Sequence, residues 1–168
     1  MRTIVRVIDA ISEYTGMVVR WACLALVLML CYEVTARYVF DAPTMWSFET
    51  SSMIGGTIAV LGWSYTHKHG GHVRVDVFYN HLPPRGQAIL DITLSLLFFF
   101  PLLFALAYIA WDRMWFSWSM GEVLNRSNWY PITGPIRTVV VLGLSLFALQ
   151  GVAQFIRDLY RLIRNEQL

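Results

Sequence analysis

Residues 92–111 read ITLSLLFFFPLLFALAYIAW, twenty positions without a single charge. A hydrocarbon core about 30 Å thick needs about 20 apolar residues in a helix, so this stretch alone is long enough to cross a bilayer. Outward from it, beyond the single charge of Asp91, apolar residues continue to Ala88, and three further segments of similar character occur at residues 17–38, 46–66 and 132–156. Over all 168 residues the chain is 57% apolar and 14% charged, with a mean hydropathy of +0.51. Such a composition excludes an ordinary soluble domain. The predicted fold is an all-α integral membrane protein with four transmembrane helices.

Before the first span, Arg2, Arg6, Asp9 and Glu13 are spread along the chain, which is unlike a cleavable signal. Ile4, Ile8 and Ile11 recur at helical spacing with charges opposite, which predicts an amphipathic helix lying in the interface. A frayed polar leader is the plainer alternative. Cys23 and Cys31 fall in one apolar helix, eight residues apart, so they cannot pair with each other and are expected to be small apolar fillers.

The net charge of +2 is too small to suggest nucleic acid, but its distribution is informative. Arg2, Arg6, Arg20, Lys68, Arg74, Arg85, Arg157, Arg161 and Arg164 group on one side of the spans, and Arg37, Arg113, Arg126 and Arg137 on the other. The positive-inside rule then places both termini and the segment Lys68 to Asp76 in the cytoplasm. On the opposite side, Trp46, Trp111, Trp115, Trp118, Trp129 and Tyr130 form an interfacial belt. Between them, residues 113–135 make the one sizeable outer loop, where Glu122 and Arg126 suit docking of a soluble partner as well as they suit a plain connector.

Within the spans, Glu33 and Arg37 are four apart with the acid first, the favourable order for an ion pair on a helix. An intramembrane pair is either a functional relay or a self-neutralising positional anchor. Glu49 and Asp91 are each expected near a helix start, where an acid meets the positive end of the dipole. Ser52, Gly55, Ala59 and Gly62 line one side of the second span, a small-residue ridge that lets another helix approach, from this chain or another. Pro101 should disturb the third span, and Gln150 and Gln154 in the fourth should make interhelical hydrogen bonds. Arg157 and Arg161 beyond them suit a helix end and anionic lipid heads.

His67, His69, His72 and His81 all sit in one segment, with no cysteine and few acids beside them. That argues against a metal site and against bis-histidine haem, which needs ligands facing each other from different spans. No nucleophile constellation and no phosphate-binding loop is present, so neither enzyme chemistry nor a cofactor is expected.

Arg37-Tyr38-Val39-Phe40 closes the first span, Trp46-Ser47-Phe48-Glu49 opens the second, and Gly71-His72-Val73-Arg74-Val75-Asp76 with Leu82-Pro83 precedes the third. In order and spacing these motifs resemble the small membrane subunit of tripartite ATP-independent periplasmic (TRAP) transporters. The resemblance runs along essentially the whole chain, its motifs lying in the first half. It implies a scaffold for a large membrane subunit, which uses sodium to take up a carboxylate-bearing solute delivered by a periplasmic binding protein. Substrate and sodium sites belong to the large subunit in that family, so none is carried onto this chain. The resemblance also implies a bacterial or archaeal cytoplasmic membrane, and it makes Arg37, Trp46, Glu49, Gly71, His72, Arg74 and Asp76 motif residues; Glu33 with Arg37 and Glu49, and the ridge of Gly55, Ala59 and Gly62, are expected to be structural or to face the large subunit. Rival readings are a self-sufficient proton-coupled transporter built on Glu33, and a haem or quinone redox subunit.

Overall fold

The computed structural model describes residues 2–71, 79, 83–125 and 128–164, which are almost entirely helical. α1 is Arg2–Val39, α2 Ser47–Lys68, α3 Pro84–Leu94, α4 Phe100–Met120 and α5 Gly134–Arg164. A π-helical turn, Ser95–Phe99, joins α3 to α4. Thr3–Val39, Arg85–Met120 and Gly134–Ile163 are long and apolar enough to cross a membrane. The helical class expected from composition is therefore observed.

Burial runs opposite to that of a soluble domain. The largest fully buried side chains are Gln150, Glu49, Ser12, Ser64 and Ser117, whereas Phe104 is 77% exposed, Trp21 71% and Leu97 62%. In water such a surface would be an extended apolar patch; in lipid it is the solvent-matched face, and polar groups turn inward to find partners. Cys23 and Cys31 lie on that outer surface of α1, exposed and free, so neither fills the interior as composition suggested.

α1 is one unbroken helix, so the amino-terminal residues are not a separate interfacial element. Its buried stripe is Val5, Ile8, Ser12 and Thr15, at steps of three and four. Val5 and Ile8 pack with Ala153 and Ile156 of α5, while Ile4 and Ile11 face outward. The isoleucine periodicity misled because the true inner stripe is half hydroxyl.

Pro101 lacks an amide hydrogen, and its ring crowds the carbonyl four residues back. The helix widens to accommodate it: the Phe100 amide bonds to the Ser95 carbonyl, five residues back. Pro83, extended at ψ 155°, and Pro84 at the first turn start α3 well before Asp91. Asp91 consequently sits inside the helix, not at its head, where its carboxylate accepts the Tyr79 hydroxyl at 2.5 Å.

α5 is the hub, packing against α1, α2, α3 and α4, while α2 also lies along α1. Helices come within backbone contact at Gly143, where a Cβ would strike the Val60 side chain and lie 2.9 Å from the Val60 carbonyl oxygen. Gly151 meets the Phe99 ring and Gly16 the Tyr65 ring in the same way.

Candidate functional site

The α1–α2 hairpin turns on Glu33, which is 6% exposed. Arg37, one turn on, donates to Glu33 Oε1 from Nη2 at 2.5 Å and from Nε at 3.1 Å. The other carboxylate oxygen accepts the Thr44 amide at 3.3 Å and the Thr44 hydroxyl. The connector is closed by Ala42, whose amide reaches the Ala36 carbonyl at 3.0 Å, and by Asp41, which takes a left-handed φ of 49° that short polar residues tolerate. Trp46 stacks on Tyr32 with ring centres 6.2 Å apart. Glu33 is thus fully engaged in holding a turn, and the half-exposed Arg37 is the charged member that the surface displays.

Glu49 lies in the first turn of α2, as its expected helix-start role requires, and is 1% exposed. Its Oε1 has no hydrogen-bond partner, and among the described residues no bond joins it to Glu33 or Arg37.

The small-residue ridge is left open, its Ala59 and Gly62 edge bordering α1 across a groove. Ser52 and Ala59 are exposed, and a Cβ built at Gly55 or Gly62 would meet nothing within 4 Å. Beside it, α1 and α2 enclose an open groove of about 590 Å³ whose walls include Arg20, Ile58, Ala59, Gly62 and Trp63. At the far end of α2, Gly70 adopts φ +64°, and the Gly71 amide bonds to the Thr66 carbonyl at 2.9 Å, which terminates the helix. His72, Arg74, Asp76 and Arg126 lie outside the described residues.

Glu122 belongs to a closed corner between α4 and α5. Its carboxylate accepts Arg137 Nη2 at 2.7 Å, and its carbonyl accepts the Thr133 amide at 2.9 Å. Val123 pairs with Ile132 in an antiparallel bridge, and the buried hydroxyls of Ser117 and Thr133 bond to each other.

A second polar cluster, at the Lys68 end of the bundle, was hidden from sequence reading. Gln150, 0% exposed, accepts the Ser12 hydroxyl at 2.7 Å and donates to Asp9 Oδ1 at 3.2 Å. Arg157 pairs with Asp9 rather than standing free for lipid heads, while Lys68 bonds to Glu13 and to the Asp9 carbonyl. Gln150 makes the expected interhelical bonds; Gln154 instead turns to Asp158 and Arg157 of its own helix. The only sequence signal was polarity at steps of three on α1, which equally fits a solvated face.

An apolar exterior around polar, helix-bridging clusters defines an integral membrane protein of the helical type. Residues 26–161 match the family described as the DctQ component of tripartite ATP-independent periplasmic transporters. A Haemophilus influenzae protein named as a TRAP transporter small permease is 30% identical over 126 residues, covering 74% of this chain and 70% of that protein. The chain belongs to this small-permease family, a transporter component rather than an enzyme family.

Proposed function

We propose that this chain is the scaffold subunit of a sodium-coupled TRAP transporter in a bacterial or archaeal cytoplasmic membrane. It supports a large membrane subunit that takes up a carboxylate-bearing solute handed over by a periplasmic binding protein. Sodium and solute are bound by the large subunit. The chain crosses four times, through α1, α2, the joined α3–α4 and α5, with both termini in the cytoplasm. Family membership and the skewed distribution of arginines favour this reading. The 22 residues of α2 extend about 33 Å, enough for a fourth span although its composition is more polar.

The observation that carries the proposal is the ridge of Gly55, Ala59 and Gly62, small positions at helix-packing spacing that this chain leaves unfilled. The large subunit is the natural occupant, with Arg37 at the same helix pair's exposed head. An affinity-tagged chain extracted from its native cells in mild detergent should bring a larger membrane protein with it. Repeated recovery of this chain alone would overturn the proposal.

Docking of the binding protein is assigned to the loop beyond Glu122. Because Glu122 is already paired with Arg137, Arg126 is the side chain expected to meet the partner. Arg126→Glu should weaken binding-protein association; unchanged association and transport would remove this part of the reading.

A further inference from the structure

A separate groove of about 350 Å³ opens between α4 and α5 near the Glu122 end of the bundle, lined by Ala110, Arg113, Arg137 and Val140. Its construction repeats on the two helices. On each, an arginine stands one turn above a small apolar residue on the same face: Arg113 over Ala110, and Arg137 over Val140. Since α4 climbs toward this end and α5 descends from it, both cations lie at the mouth and both apolar residues toward the membrane interior.

Arg137 is fixed in place, donating to the Arg113 carbonyl at 2.9 Å and to Glu122 at 2.7 Å. Arg113 is exposed, and among the described residues its guanidinium meets no carboxylate; the neighbouring Asp112 pairs with neither arginine. Two cations line the mouth against one engaged acid, so Arg113 is left without an acid partner. Trp111 and Trp115, 57% and 68% exposed, set this level as the interfacial belt.

We infer that this groove binds an anionic phospholipid, its headgroup phosphate on Arg113 and Arg137 and an acyl chain descending past Ala110 and Val140. The vertical order of cation above apolar surface matches a lipid, whose charge and chain are covalently stacked in that sense. An acidic protein segment would find the charge but would have to lay peptide groups against the apolar floor, where they lack partners.

The test is lipid retention by the full-length chain, reconstituted in nanodiscs of equimolar phosphatidylglycerol and phosphatidylcholine and then read by native mass spectrometry. The wild-type chain should hold phosphatidylglycerol in preference, by about fivefold for one basic side chain near the headgroups. Arg113→Gln should bring the two lipids close to parity, and Arg113→Lys should keep the preference. Val140→Phe, which fills the groove without touching a charge, should lower retention of the lipid itself. Equal retention in the wild type, a preference untouched by Arg113→Gln, or lipid retention untouched by Val140→Phe, would overturn the inference. Displacement by millimolar glycerol 3-phosphate as readily as by lipid would overturn it too, since the site would then be one for a free anion.

Discussion

Two faces of α2 end differently. Toward α5, Val60 and Ser64 are buried, and the helices close to backbone contact because Gly143 has no side chain to hold them apart. On the other side, Gly55 and Gly62 have open space where a Cβ would stand, and Ala59 between them is exposed. Close packing in lipid comes from van der Waals contact and polar pairing, since lipid tails are as apolar as leucine and give no net drive for apolar burial. The closed face therefore belongs to the fold of this chain, and the open one is available for assembly.

The largest effect that could break this contrast comes from a bulky residue on the closed face. Gly143→Leu should cost about 3 kcal/mol by overpacking against the Val60 backbone, read as early loss of helicity on titrating dodecyl sulfate into detergent micelles. If that variant were as stable as the wild type, the closed face would not be holding the bundle.

Next in size is Gln150→Ala, which leaves Ser12 and Asp9 short of partners in a buried setting. A loss of about 2 kcal/mol in the same titration is expected, and a double change with Ser12→Ala should cost less than the sum of the two. Additive losses would mean the two side chains do not act as one unit. The smallest effect is at the Glu122 corner, where a half-exposed pair contributes about 1 kcal/mol or less; Glu122→Gln should lower stability only slightly and do so less at high salt.

The sequence made the class of fold readable because a run such as residues 92–111 has one physical outcome in a cell, and Pro101 announced where that helix would deform. The Glu33–Arg37 pair was also visible, being local. What stayed hidden depends on distant partners. Asp9 and Arg157 are 148 residues apart, and nothing local distinguishes a part-buried Asp9–Gln150–Arg157 cluster from a solvated helix face followed by a basic tail. The ridge on α2 was equally legible as a pattern, but its direction was not: spacing identifies a face, and only the packed structure tells that Gly143, an unremarkable glycine in α5, had taken the other side of the helix.

The most direct test of the scaffold account sets the two faces against each other. Gly62→Leu adds a side chain where there is open space, so the isolated chain should fold and resist dodecyl sulfate as the wild type does. Co-purification from native cells should then separate them: the account predicts that the tagged Gly62→Leu chain is recovered intact but without its larger membrane partner. Recovery of that partner in wild-type amount, with the chain equally stable, would contradict the claim that the open face of α2 is the assembly surface.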